Sequence, residues 1–144
     1  SFMNKTNDTP KSMTQTYAEK VNNSQLLVLE RRQDISSADT ATKLRYTTID
    51  KQNGLVVTLP MLFKANAYQA ILKNYVNEQI AASKQYDTPI AAIGPKQTFY
   101  INNKGELVLV FQRGEIAPMY VGAVAMTIPT DEIDSHLISH AYVK

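Results

Sequence analysis

The spacing of apolar positions changes along this chain, and the change marks out its elements. "SMTQTYAEKV" (12–21) is rich in Thr with Tyr and Val, a composition that favours a strand. Met13, Tyr17 and Val21 also recur at a spacing of four, which leaves a helix open. The strand is preferred because "NNS" (22–24) is a turn signal and "QLLVLERR" (25–32) makes a good second strand. "QDISSADTAT" (33–42) concentrates Ser, Asp and Thr and reads as a loop. "KLRYTTID" (43–50) alternates Leu44, Tyr46 and Thr48 with polar neighbours, as a half-buried strand does. "KQNG" turns the chain into "LVVTL" (55–59).

From Asn66 the period becomes helical. Tyr68, Ile71, Leu72, Tyr75, Val76 and Ile80 form one stripe, with Lys73, Asn74, Asn77, Glu78 and Lys84 elsewhere. This predicts an amphipathic helix over about 66–83, capped by Asn66. "QYDTPIAAIGPK" (85–96) is a long loop. "QTFYI" (97–101), the turn "NNKG" and "ELVLVFQ" (106–112) read as a hairpin. "GAVAMTIP" (122–129) is a further strand. "TDEIDSHLISHAY" predicts a short closing helix over about 130–141, with Thr130 as N-cap and Asp131, Glu132 and Asp134 near its positive end. The helices do not alternate with strands as βαβ units would. The fold class is therefore α+β: a mostly antiparallel sheet packed by one long amphipathic helix and a short C-terminal one.

Length and composition narrow the functions. The 144 residues fit a single domain spanning 1–144, large enough to bury a core without staples. The 15 basic and 13 acidic residues are dispersed, so the basic patch of a nucleic-acid binder is missing. The longest apolar runs, such as "LLVL" (26–29), are too short to span a bilayer. Without cysteine, a disulfide framework, thiolate metal sites and a cysteine nucleophile are excluded. Ser1, Phe2 and Met3 read as a cloning remnant, so a membrane association would run through a segment outside this sequence.

Candidate chemistry is sparse. On a helix, Glu132, His136 and His140 fall on one face, a spacing at which His pairs can hold zinc. Against that stand the frayed position of His140 and the lack of a His-Glu-x-x-His motif, and a solvated face is the preferred reading. Serine-hydrolase chemistry lacks the Gly-x-Ser-x-Gly elbow, and both His are near the end of the chain. Glu106 and Glu115 lie at opposite ends of one strand, about 30 Å apart if extended, too far to act as a glycosidase pair. No phosphate-cradling glycine loop occurs. No catalytic residue and no cofactor are assigned.

The stretch "RGEIAPMYVG" (113–122) interrupts two strands. Pro118 cannot donate to a ladder, and Gly122 permits conformations that other residues resist. Glu115 is expected to be partly buried and to accept hydrogen bonds from backbone N–H groups near Pro118 to Gly122. Glu115, Pro118, Gly122 and Pro129 form a structural motif in this reading, with Tyr120 and Arg113 as candidate binding residues.

The same region carries a resemblance. "FYINNKGELVLVFQRGEIAPMYVGAVAMTIPTDEI" resembles the signature of domain-of-unknown-function family 3298, and "YTTIDKQNGLVVTLPMLFKANAYQAILKNYVNEQI" is similar to its earlier part. Residues 24–138 hold the resemblance. Gly114 stands where the family usually carries Tyr, and "SSADTATK" replaces a loop with Gly and His. The resemblance implies an extracytoplasmic domain of a bacterial envelope protein, secreted or membrane-anchored. It implies a non-catalytic binding or sensor role, like the ectodomain of an anti-sigma factor that senses lysozyme. The partners implied are a lysozyme-like protein or a cell-wall glycan, with no nucleic acid. The alternatives are an accessory module of a cell-wall polysaccharide deacetylase and a small hydrolase.

Overall fold

The computed structural model describes residues 12–36 and 41–144. Four antiparallel strands form the first sheet in the order β1-β2-β3-β4: β1 (Ser12–Asn22), β2 (Leu26–Ser36), β3 (Ala41–Asp50) and β4 (Leu55–Val57). The second sheet, also antiparallel, is β5 (Phe99–Ile101), β6 (Leu107–Phe111) and β7 (Val124–Ile128). One helix, α1 (Tyr68–Ala82), lies between them in sequence. No helix among the described residues is long and apolar enough to cross a membrane.

Strand β6 explains the layering. All five of its residues are buried, so both its faces are covered. Leu107, Leu109 and Phe111 join one core cluster with Tyr68, Leu72, Val76 and Ile80 of α1. Val108 and Val110 join another with Tyr100, Val21, Val28, Leu44 and Tyr46. The helix therefore packs on one face of the second sheet, and the first sheet packs on the other. The α+β class and the orientation of the helix are as the periodicity predicts: the stripe at a spacing of four is the buried side.

The first sheet is longer than its core contact. Its covered face carries Leu26, Val28, Leu44, Tyr46 and Thr48, all even-numbered. A register shift between Glu19 and Val21 moves Val21 onto that same face. From Ser12 to Lys20 every residue of β1 is exposed. The outer parts of β1, β2 and β3 form a three-stranded arm reaching beyond the core.

Three local expectations are corrected. Residues 33–42 are not a loop throughout: 33–36 continue β2 and 41–42 belong to β3, while 37–40 lie outside the described residues. Polarity there reports an arm wet on both faces, where an alternating pattern has no burial to record. Second, α1 starts at Tyr68 with Ala67 in the cap position and no side-chain cap. Asn66 contributes only its carbonyl, which accepts the Gln69 N–H at 3.0 Å. Third, the helix expected over 130–141 is two single 3₁₀ turns, Thr130–Glu132 and Asp134–His136, with Pro129 and not Thr130 at the first cap position. Tertiary pairing competes with it. Lys64 N–H donates to the His136 carbonyl and Ile138 N–H to the Leu62 carbonyl, both at 2.9 Å, and Leu137 bridges Phe63. These bonds hold the chain extended at Leu137, directly after the second turn.

Candidate functional site: two hollows joined at Arg45

The register of the arm sets a row of side chains on its outer face. Tyr17 is opposite Arg31, and Arg31 is opposite Arg45. Like charges directly opposite across strands are destabilising. The described carboxylates of the arm do not neutralise this pair. Glu19 accepts from Asn22 Nδ2 at 3.2 Å and Glu30 from the Tyr46 hydroxyl at 2.6 Å. Asp34 accepts from Thr42 at 2.6 Å and pairs with Arg32 at 3.2 Å. The Thr42 hydrogen bond, with Arg32 behind it, holds the Asp34 carboxyl below its ordinary value against a partial desolvation.

Two hollows meet at this row. One, of about 300 Å³, is bounded by Tyr17, Leu29, Arg31 and Arg45. The other, of about 240 Å³, lies between β3–β4 and the segment around Lys96–Phe99. Arg45, Tyr46 and Thr47 line both. Among the described residues no Asp or Glu lines either hollow, whereas Arg31, Arg45 and Lys96 do. Among the described residues the buried side-chain polar atoms without a hydrogen-bond partner are Arg31 Nε and Thr48 Oγ1. Arg31 is one of the residues lining the first hollow and Thr48 one of those lining the second. Unsatisfied buried polar atoms are few in native proteins, and their coincidence with the hollows marks the place where a ligand has something to satisfy.

The backbone adds a further open group. Leu44 N–H donates to Gln112 Oε1 at 3.0 Å, and Gln112 Nε2 donates to the Leu44 carbonyl at 2.8 Å. Leu44 therefore faces away from β2, and by strand alternation so do Tyr46 and Thr48. Lys51 N–H donating to Gln25 O at 2.8 Å confirms that the odd positions face β2. Thr48 is covered by β4, where its partner is Val57. Tyr46 alone, between the Gln112 side chain and the end of β4, has an N–H and a carbonyl without protein partners among the described residues. Its ring is fixed: it packs against Tyr100 with centroids 4.8 Å apart, and its hydroxyl is tied to Glu30. Burial first, then Glu30, pushes that hydroxyl's pKa far above the ordinary tyrosine value.

The residues singled out in 113–129 do not enter the hollows. Glu115 is exposed and not partly buried. It accepts one backbone hydrogen bond, from Gln112 N–H at 2.8 Å, and none from Pro118 to Gly122. The Glu115 N–H donates to the Gln112 carbonyl at 3.0 Å, closing a turn in which Gly114 has φ +80. That positive φ at the third position is what a type II turn needs. Two of the donors from 118 to 122 bond within the stretch instead: Val121 N–H to Pro118 O and Gly122 N–H to Met119 O, in a 3₁₀ turn over Met119–Val121. Pro118 and Pro129 each occupy the cap position of a 3₁₀ turn, and Gly122 ends the first with φ 81 and ψ −164. Arg113 is half-buried, and Tyr120 is 89% exposed on this loop.

The helical face expected for Glu132, His136 and His140 does not exist, because the helix does not form. His140 Nε2 lies 2.9 Å from Asp134 Oδ1, and its Nδ1 lies 3.1 Å from the Val143 carbonyl. Among the described residues no three His, Asp or Glu side chains gather as a metal site. The sequence reading missed Arg31, Arg45, Lys96 and the Tyr46 backbone. "LERR" and "KLRY" hold the two arginines, but only the hairpin register puts them opposite each other.

Residues 61–131 match the model of the family described as protein of unknown function (DUF3298). The anti-sigma-V factor RsiV of Bacillus subtilis (strain 168) is 34% identical over 131 residues, covering 83% of this chain and 46% of RsiV. The chain thus spans less than half the length of that relative. A DUF3298 structure from Bacteroides fragilis NCTC 9343 superposes with a TM-score of 0.73 at 18% identity, over 92% of this chain and 56% of that one. A DUF3298 protein from Pseudomonas aeruginosa PAO1 gives 0.67 at 14% identity, over 93% and 65%. These two likenesses bear on the fold.

Proposed function

From a chain that over residues 61–131 belongs to the DUF3298 family and is similar to RsiV, we propose a non-catalytic binding domain of the anti-sigma-factor type, acting outside the cytoplasm. Its ligand is a protein, lysozyme-like in the finer reading, or a cell-wall glycan. The observation that carries this reading is the arm with its joined hollows. Strands reach beyond the core they cover, and they present two opposed arginines, a buried unpartnered Nε and an open backbone rung. None of these features stabilises the fold, so they fit contact with something else. Among the described residues no His, Asp or Glu group is gathered as a metal site that would favour an enzyme instead. The formal charge of +2 gives no long-range steering toward a strongly basic partner, so binding to lysozyme rests on local contacts.

The test is direct binding of the purified domain to lysozymes of several types and to defined peptidoglycan fragments, by calorimetry. Saturable binding to one of these without turnover is the expected result. Hydrolysis of the fragments, or binding to neither class, overturns the reading.

A further inference from the structure

We propose that the saddle at Arg45 takes an extended acidic peptide segment of the partner, which completes one β-rung with the Tyr46 backbone and sets a carboxylate against Arg31 and Arg45. This rests on the reading of the domain as a binding module and names the chemistry of its ligand.

The charge comes first. Arg31 and Arg45 are opposed on one face, Lys96 lines the adjoining hollow, and no acid among the described residues lines either hollow. Guanidinium groups present planar donor pairs that match a carboxylate, and the repulsion between two of them is relieved when an anion sits between. The Nε of Arg31 is shielded and has no hydrogen-bond partner among the described residues. A carboxylate in the hollow gives the guanidinium the acceptor that the fold does not provide.

The backbone selects a peptide over other anions. Tyr46 offers a donor and an acceptor side by side along the outer edge of β3, the geometry that an extended peptide meets with its own carbonyl and N–H. Gln112 closes the edge at Leu44, and β4 closes it at Thr48. The site is therefore one rung wide. In the added segment, the residue opposite Tyr46 projects to the covered side of the sheet. Its two sequence neighbours project to the outer face, one beside Arg45 with Arg31 across from it on β2, the other beside Thr47. The recognition pattern is an extended segment with an acid next in sequence to the residue that pairs with Tyr46, on the side facing Arg45.

The experiment titrates the ¹⁵N-labelled chain with the capped peptide acetyl-Thr-Glu-Val-Glu-Thr-amide, whose symmetric pattern suits either strand direction. The expected result is a shift of the Tyr46 amide, with its hydrogen exchange slowed about tenfold at saturation. Replacing both Glu by Gln in the peptide should weaken binding by about tenfold, and raising the salt should weaken it further. Methylating the Val nitrogen should weaken it as well. Arg45→Gln should reduce affinity about fivefold or more with an unchanged amide spectrum elsewhere.

Equal binding of the Glu and Gln peptides, or shifts that leave residues 45–48 and 96–99 untouched, overturns the proposal. So does an oligogalacturonate that perturbs these amides where the peptide does not. If the peptide fails while lysozyme or peptidoglycan still binds, this site assignment falls and the binding-module reading stands.

Discussion

The side chain of Gln112 pairs with the backbone of Leu44 as a strand would, 68 positions away in sequence, through bonds of 3.0 and 2.8 Å. Asn77 does the same to Ile90, at 3.0 and 2.8 Å. In both cases a primary amide supplies the donor–acceptor pair that an edge backbone lacks. Gln112 is aimed by its turn, which Gly114 permits and Glu115 ties by accepting the Gln112 N–H. Glu115 therefore acts on β3 at one remove: it holds the turn, and the turn presents the amide.

Gln112→Ala should destabilise the protein by about 1–3 kcal/mol, since it removes both bonds and leaves Leu44 groups without partners at a part-buried edge. Urea unfolding measures the loss, and hydrogen exchange at the Leu44 amide should rise with it. Gln112→Glu should be harmful too, because a carboxylate oxygen replaces the donor that faces the Leu44 carbonyl. A Gln112→Glu variant as stable as the parent would show that the rung carries no weight.

Glu115→Ala should cost only about 0.5–1.5 kcal/mol, the usual worth of one net hydrogen bond, as the carboxylate is exposed. Glu115→Gln keeps an acceptor oxygen and should lie within a few tenths of the parent. A large thermal shift for Glu115→Gln would mean that its charge matters more than its acceptor.

Leu72→Ala should cost about 2–5 kcal/mol. Leu72 is fully buried on the face of α1 that packs on the second sheet. Denaturant unfolding with an unchanged slope would confirm a loss of packing and not of structure.

Arg45→Gln and Arg31→Gln should each raise stability, by about 0.2–1 kcal/mol, because each removes a like-charge cross-strand pair. The gain should shrink at high salt as the repulsion is screened. A fall in melting temperature at low salt in both variants would show that the arginines serve the fold.

Asp50 gives the acid limb of stability. It is 2% exposed, and its carboxylate accepts from the Tyr142 hydroxyl at 2.6 Å, Asn53 Nδ2 at 2.8 Å, and the Gln52 and Asn53 N–H groups at 2.9 and 3.0 Å. The Tyr142 bond first, then those of Asn53, pull its pKa from 3.8 down to about 2. A lowered folded pKa means the stabilisation is fully present above the unfolded value near 3.8 and is lost as pH falls through about 2. The melting temperature should drop between about pH 4 and pH 2, and Asp50→Asn should flatten that part of the curve. Tyr142→Phe should bring the drop to higher pH, since the first of the bonds holding the carboxylate ionised is gone.

The sequence by itself determined the elements whose pattern one face of burial enforces. The helical stripe Tyr68–Leu72–Val76–Ile80 and the apolar run of β6 were legible because each must be buried whatever lies opposite. The turns at Gly54 and Gly105 were legible for a local reason, a positive φ that glycine adopts without strain. The family resemblance was legible in "GEIAPMYVG" and its neighbours. Tertiary structure alone decided the rest. The acidic start after Pro129 satisfies every local rule for a helix, yet backbone bonds to 62–64 outcompete it. Residues 33–36 and 41–42 hold only Ile35 and Ala41 as apolar positions, and none of the six is buried, so no alternation records a covered face. The hollows depend on register, and register belongs to a pair of strands and not to one. A one-residue slip would turn Arg31 and Arg45 to the core side, and no property of "LERR" or "KLRY" taken singly says which side they face.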